Sequence, residues 1–116
     1  GSNAALRRMA REVNEMLKDA LDSYIQRDVA KAQDVIARDA DVDQMYNALF
    51  REFLTFMMED PRTIRRVMDI VWSVRALERI GDHAKNIAEH VIYFVKGQDV
   101  RHVSVDAMEK AVQKGS

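Results

Sequence analysis

Four acidic side chains in this sequence form two pairs, and the members of each pair are four positions apart. The pairs are Asp39 with Asp43 and Glu78 with Asp82. At this spacing the two residues of a pair lie on one face of an α-helix, a single turn apart. Carboxylates that share a face repel each other unless a cation lies nearby. The spacing therefore points to a metal site or to a set of ion pairs.

The two pairs are arranged symmetrically about the dipeptide Asp60-Pro61. Positions 39 and 82 have their midpoint at 60.5, and positions 43 and 78 have the same midpoint. Each helical residue rises about 1.5 Å, so two helices folded back on each other at this dipeptide carry mirrored residues at equal heights. We expect Asp39 beside Asp82 at one level and Asp43 beside Glu78 at the next. An oxygen-bound cation between them would relieve the repulsion.

The aspartates also interrupt the most regular apolar pattern of the chain. That pattern steps by three and four residues: Val29, Ala32, Ile36, Asp39, Asp43, Tyr46, Phe50, Phe53 and Met57. A buried carboxylate without a partner is costly. Two interpretations remain open: the four acids bind a metal, or they pair with Arg75, Arg79 or Lys85 in a purely structural bundle.

The donor types restrict which metal such a site could hold. The chain has no cysteine, which excludes thiolate sites. The segment from Asp39 resembles the start of an EF-hand loop, but it does not match the motif because Gln44 stands where glycine is required. No Glu-x-x-His di-iron motif occurs either. His83 and His90 are seven residues apart and are interpreted as ordinary surface or core histidines. An all-oxygen site favours a hard cation such as Mg, Ca, Mn or ferric iron.

Catalysis has little support in the sequence. The carboxylates are accompanied by no Ser/His/Asp set, phosphate-binding glycine loop or nucleotide motif. Gly81 stands alone within a helical pattern, where it would let a neighbouring helix or ligand approach. We therefore expect a protein that is not an enzyme, with a carboxylate-dependent metallohydrolase as a minor alternative.

Composition places the chain among small helical domains. Its 116 residues suit one domain, and 47% apolar and 32% charged residues with one proline favour helices. The net charge of -1 and pI near 6.3 give no bulk attraction to nucleic acid. The apolar runs are far shorter than a transmembrane segment, so a cytoplasmic protein is expected. Residues 1–4 are interpreted as a cloning remnant.

The apolar periodicity predicts three long helices. The first runs from Leu6 to about Gln26, with its acids on a solvated face; the second begins after the N-cap Asp28, and the third begins at Asp60-Pro61. Gly97 is expected to end the third helix. The predicted fold is all-α, an antiparallel up-down-up three-helix bundle over residues 5–98. A tail over 99–116 would hold a short helix capped by Ser104.

The third helix carries a long motif, Leu77-Glu78-Arg79-Ile80-Gly81-Asp82-His83-Ala84-Lys85-Asn86-Ile87-Ala88-Glu89. This string resembles the signature of the PhoU family of phosphate-uptake regulators. The resemblance continues through Val91-Ile92-Tyr93-Phe94-Val95-Lys96-Gly97 to Asp99-Val100-Arg101-His102, as at the end of the family's C-terminal repeat. It also includes Arg27-Asp28 and the segment from Asp39 to Asp43 followed by Met45-Tyr46.

The resemblance implies a PhoU-like bundle whose acid-x-x-x-Asp motifs bind iron or another divalent or trivalent ion at the bundle surface. Those motifs match Asp39, Asp43, Glu78 and Asp82. Members of the family are cytoplasmic accessory proteins that couple a phosphate-specific ABC transporter to a sensor histidine kinase and restrain phosphate uptake and the starvation response. They act by binding rather than turnover. Family members usually carry two such bundles and this chain has room for one, so we expect it to form a homo-oligomer.

Overall fold

A computed structural model describes the backbone of residues 2–115 and the side chains of residues 3–98 and 104–113. Three long α-helices follow one another: α1 (Ser2–Gln26), α2 (Val29–Glu59) and α3 (Ile64–Gly115). A one-turn 3-10 helix (Pro61–Thr63) joins α2 to α3. The all-α prediction is confirmed, and the 3-10 turn adds a fourth helical element to the three that the sequence predicts.

Capping residues stabilise both turns at which the chain reverses direction. Arg27 adopts a left-handed conformation with φ of 53°, and the Asp28 carboxylate accepts a hydrogen bond from the Lys31 backbone N-H at 3.0 Å. At the second reversal the Asp60 carboxylate accepts from the Arg62 backbone N-H at 3.1 Å, with Pro61 at the first helical position. Asp28 is confirmed as the N-cap of α2, whereas Asp60 caps the 3-10 helix and α3 itself begins at Ile64.

Each of the three α-helices packs against the other two, and the core lies along their shared axis. The buried apolar residues are Met9, Val13, Met16, Ala20, Ala32, Val35, Val42, Leu49, Phe53, Val67, Val71, Val74, Ala84, Ala88 and Val91. Most of them are aliphatic or small, so the helices approach closely along their length. The interface between α2 and α3 carries the predicted acidic residues.

The predicted end of the third helix at Gly97 is wrong. Helix α3 continues through Gly97 for a total of 52 residues, and the separate short helix predicted after Ser104 is part of it. Gly97 does not adopt positive φ, the conformation by which glycine usually ends a helix. The long α3 gives the molecule its extended dimensions of 82 × 20 × 17 Å. In the described part of the chain, no helix is long and apolar enough to span a membrane.

Candidate metal centre

The four predicted ligands lie on the two helices that form the second hairpin, with Asp39 and Asp43 on α2 and Glu78 and Asp82 on α3. Their exposure differs from the expectation that both aspartates of α2 face the core. Asp39 is buried, with 5% of its surface exposed, and Glu78 is half-buried. Asp43 and Asp82 are exposed. The acids therefore extend from the core interface outward to solvent.

The four carboxylates lie close enough together for their charges to interact. Burial raises the pKa of Asp39, and the negative charges of Asp43 and Asp82 raise it further, against the opposing effect of Lys85. Burial also raises the pKa of Glu78, together with the charges of Asp43, Asp82 and Asp39. Each pair thus contributes one carboxyl group that is harder to ionise than usual. The mirrored spacing does bring the two pairs into electrostatic contact.

One cation already contacts the buried member of the set. Lys85 Nζ lies 3.6 Å from Asp39 Oδ2 and 4.0 Å from Glu89 Oε1. This contact is the ion pair that the structural alternative predicts for Lys85. The charge of Arg75 also lowers the pKa of Glu78. A metal ion would therefore have to compete with Lys85 for the Asp39 carboxylate.

The arginines contribute less than the structural alternative predicts. Among the described residues, neither Arg75 nor Arg79 forms an ion pair within 4.0 Å of the four acids. The Arg75 guanidinium instead lies over the Trp72 ring, 5.9 Å from its centroid. Asp43, Glu78 and Asp82 consequently have no direct cationic partner in the described part of the chain.

The carboxylate oxygens suit a hard cation, but the described side chains are not arranged as a coordination shell. Carboxylate oxygens are the ligands that Mg, Ca, Mn and ferric iron prefer. Within the described ranges 3–98 and 104–113, no three His, Cys, Asp or Glu side chains converge closely enough to hold an ion. Two of the four acids are exposed and free to change rotamer, so only Asp39 is fixed in place by packing.

An open groove of about 440 Å³ lies beside the acids on the outer side of α3. It is lined by Trp72, Arg75, Ala76, Glu78, Arg79 and Asp82. The groove is not among the features predicted from the sequence, although three-residue and four-residue steps from Trp72 to Asp82 indicate that these side chains share one face of a helix. The groove gives solvent access to Glu78 and Asp82.

Gly81 lies at the centre of the helix interface, as its motif position suggests. A Cβ atom at Gly81 would be 3.7 Å from a Val42 methyl, 3.8 Å from a Val13 methyl and 3.9 Å from Asp39 Oδ1. These are ordinary van der Waals distances. The interface therefore has room for one methyl group at this position, and close approach is not the reason that the position must be glycine.

The two histidines of the motif region lie apart from the acids. His83 and His90 are both exposed, and His90 stacks on Phe94 with ring centroids 6.4 Å apart. Within the described residues, no metal-like grouping connects them to the carboxylates. Their interpretation as ordinary histidines agrees with this placement.

A second polar contact that the sequence analysis missed joins α1 to α2. Arg38 Nη2 donates to Asp19 Oδ2 at 2.6 Å, and Arg38 also lies 3.1 Å from Asp34 and 4.0 Å from Glu12. Burial opposes the charge of Arg38, but the Asp19 hydrogen bond and the neighbouring acids raise its pKa. Asp19 and Glu12 were predicted on a solvated face; they are partly buried because Arg38 reaches across to them.

Fold and site together define an all-helical domain with a carboxylate-rich helix interface. A family model, the PhoU domain, matches residues 6–91. The chain belongs to the PhoU family, as its third-helix motif predicts. The similarity covers the helix pair that carries all four acids.

Individual relatives agree with this assignment. The chain is 47% identical to the phosphate-specific transport system accessory protein PhoU homolog of Pseudomonas aeruginosa over 93% of its length, and 42% identical to the PhoU protein of Escherichia coli over 91%. The crystal structure of PhoU from Pseudomonas aeruginosa superimposes with a TM-score of 0.76 and 49% identity, covering 78% of this chain and 44% of that one. The chain spans less than half the length of these relatives, 45% and 44% of them.

Proposed function

We propose that this chain is a regulatory module of the PhoU type, which restrains phosphate uptake and the phosphate-starvation response in the cytoplasm. The observation that carries the proposal is the match of residues 6–91 to the PhoU domain. The relatives are named as accessory proteins of the phosphate-specific transport system. By that similarity, its partners are a phosphate-specific ABC transporter and a sensor histidine kinase, which it contacts as a three-helix bundle without turnover.

The regulatory role has a direct genetic test. Deleting the encoding gene should raise phosphate uptake and switch on starvation genes while phosphate is plentiful. Unchanged uptake and unchanged starvation-gene expression in the deletion strain would refute the role.

We further propose that Asp39, Asp43, Glu78 and Asp82 bind a hard metal ion, with iron, Mg, Mn or Ca as candidates. Burial raises the pKa of Asp39 and of Glu78, and the charges of the neighbouring carboxylates raise both further. A bound cation would relieve that repulsion, which supports the proposal. When bound, the metal would supply positive charge between α2 and α3 and so stabilise their pairing. Asp39 would provide a fixed ligand, and the more exposed acids would turn toward the ion.

Metal binding is tested by metal content and melting temperature with and without chelator. Wild type should lose stability on chelation, and Asp43→Ala/Glu78→Ala should not respond. The matched control is Asp41→Ala/Asp69→Ala, which removes the same charge from exposed positions of α2 and α3 outside the cluster. It should respond as wild type does. A wild type that holds no metal and ignores chelator would end the metal proposal and leave the regulatory one standing.

A second candidate function is a structural interaction bundle without metal. The Lys85 contact with Asp39 favours it, because that ion pair already compensates the buried charge. In this case removing Asp43 and Glu78 would relieve repulsion and change no metal response. In either case we propose that the bundle self-associates, because its helices leave large apolar side chains exposed.

A further inference from the structure

The open groove on the outer side of α3 is lined by charges of both signs. Its charged lining residues are Arg75, Arg79, Glu78 and Asp82, and each arginine stands three positions before an acid. That spacing allows an ion pair on a helix surface. In the described part of the chain, however, neither arginine lies within 4.0 Å of any carboxylate oxygen. Both guanidinium groups therefore have N-H donors available for another acceptor.

The two arginines can reach one ligand together. The Arg75 guanidinium lies over the Trp72 ring, 5.9 Å from its centroid, and a guanidinium in that position can still donate from its edge. Arg79 follows one helical turn later, which brings the Cβ atoms of the two arginines to about 5–6 Å from each other on one face of α3. Two planar donor groups therefore lie beside the same groove.

A small residue keeps the groove open between these side chains. Ala76 is four positions after Trp72 and three before Arg79, and all three line the groove. A methyl group at this position leaves space that a larger side chain would occupy. The volume of about 440 Å³ lies within the roughly 300–1,000 Å³ of small-molecule sites. The groove can therefore hold a small anion together with its hydrating water.

The arrangement of donors favours a phosphoryl group over other anions. Arginine pairs with phosphate through two parallel N-H···O hydrogen bonds. A phosphoryl group has three acceptor oxygens and a charge of about -1.5 to -2 at pH 7, so it can accept from two guanidinium groups at once. The acids Glu78 and Asp82 oppose an anion, and with them the four charges of the lining sum to zero. The anion should therefore bind weakly until the acids are neutralised.

We propose that Arg75 and Arg79 bind a phosphoryl anion in this groove, and that a cation at Glu78 and Asp82 tightens its binding. By linkage the anion tightens binding of the cation by the same factor. The inference deepens the regulatory function and the metal site proposed above and rests on them in this respect: the cation is that metal ion. A regulator of phosphate uptake would thereby respond to the anion itself.

Phosphate binding can be measured by equilibrium dialysis with radiolabelled orthophosphate and by the emission of Trp72, the single tryptophan. Wild type should bind weakly with chelator and at least about tenfold more tightly with Mn²⁺. Arg75→Gln/Arg79→Gln should bind phosphate in neither condition. The matched control Arg65→Gln/Arg66→Gln removes the same charge from exposed positions of α3 outside the groove and should behave as wild type.

Two further variants test the arginines without metal. Glu78→Gln/Asp82→Asn removes the repulsion, so it should bind phosphate several-fold more tightly than wild type in chelator and should not respond to Mn²⁺. Ala76→Leu fills the groove at an exposed helical position and should abolish phosphate binding. Circular dichroism should show unchanged helicity in both, which separates loss of the site from loss of the fold.

AMP in place of orthophosphate distinguishes the two sources of a phosphoryl group. Tighter binding of AMP, lost in Trp72→Ala, would identify a nucleotide whose base stacks on the ring; binding no tighter than that of orthophosphate would identify the free anion. Sulfate bound as tightly as phosphate would overturn the choice of a phosphoryl group. No phosphate binding in either wild type or Glu78→Gln/Asp82→Asn would overturn the site. The metal proposal, tested by chelation, and the regulatory one, tested by gene deletion, would still stand.

Discussion

Lys85 Nζ lies 3.6 Å from Asp39 Oδ2, and this contact joins α3 to the buried carboxylate of α2. The lysine is itself 39% exposed at its side chain, whereas that of the aspartate is only 7% exposed. The pair therefore reaches from the core to solvent. Asp39 is attracted by one cation and repelled by Asp43 and Asp82. Metal and lysine would compete for the same oxygen atoms.

This competition predicts opposite effects for Lys85→Gln on stability and on metal binding. Without metal, the variant leaves Asp39 buried and unpaired, and we expect a loss of roughly 1–2 kcal/mol in the free energy of unfolding. With metal, removal of the positive charge should tighten binding. Urea unfolding with chelator and metal titration would measure the two effects. Lys96→Gln, at an exposed position of α3, should change neither quantity.

A variant that lost stability without gaining metal affinity would show that Lys85 is a structural partner only. A variant that kept the stability of the wild type would show that the contact at 3.6 Å contributes nothing to the fold.

Glu78→Gln should stabilise the metal-free protein at neutral pH. Burial and the charges of Asp43 and Asp82 raise the pKa of Glu78 in the folded state. The folded state then binds the proton more tightly than the unfolded chain, so this group's contribution to stability falls as pH rises from the unfolded pKa through the folded one. Glutamine removes the charge, and we expect a gain of about 0.5 kcal/mol at pH 7.

The same reasoning fixes the pH dependence of that gain. Below the unfolded pKa, glutamate is protonated in both states, so wild type and Glu78→Gln should unfold at the same urea concentration. Between pH 4 and 7 the gain should grow and then level off. Thr63→Ser at the hairpin turn serves as a pH-insensitive control. A gain that is largest in acid would contradict the raised pKa.

The sequence predicted the all-helical fold and the two helices that carry the acid pairs, because both follow from helical periodicity and capping. It did not predict which residues of α2 are buried. Neighbouring columns of that helix are both apolar, with Val35, Val42 and Leu49 in one and Ile36 and Phe50 in the other. The structure buries the first column, so Asp43, which belongs to the second, is exposed. Only the placement of α1 and α3 decides between the columns.

Contacts between polar side chains that are far apart in the sequence also could not be predicted from local patterns. Arg38 meets Asp19 across nineteen residues of sequence, and no motif marks that pairing. On α1, the polar Ser23 is buried and its aromatic neighbour Tyr24 is not; the Ser23 hydroxyl donates to the Ala20 carbonyl at 2.7 Å, which satisfies it inside the core. Tyr24 is 59% exposed.

Arg38→Met should weaken the contact between α1 and α2. The methionine keeps the apolar stem and removes the hydrogen bond to Asp19 and the charge contact with Asp34. Since the arginine side chain is only 19% exposed, we expect a loss of about 1–2 kcal/mol in the free energy of unfolding, measured in urea. Arg51→Met, at an exposed position of α2, should change it by less than about 0.5 kcal/mol. Equal losses in the two variants would show that the Arg38 contacts are not stabilising.

Alanine at Gly81 and at Gly97 of α3 should stabilise the protein. Both residues are helical, neither has positive φ, and alanine is favoured over glycine in a helix by roughly 0.5–1 kcal/mol. A Cβ at Gly97 meets nothing within 4 Å, and one at Gly81 meets its neighbours at 3.7 Å or more. We therefore expect Gly97→Ala to increase helicity, measured by circular dichroism, and Gly81→Ala to raise the melting temperature.

A larger side chain should have different effects on stability at Gly81 and at Gly97. Gly81→Leu would force Val13 and Val42 apart at the packed interface and should cost about 1–3 kcal/mol. Gly97→Leu has open space around its Cβ and should behave like the alanine variant. Destabilisation by Gly81→Ala would mean that the interface is tighter than these distances indicate. A loss of helicity in Gly97→Ala would mean that α3 bends or ends at Gly97 in solution.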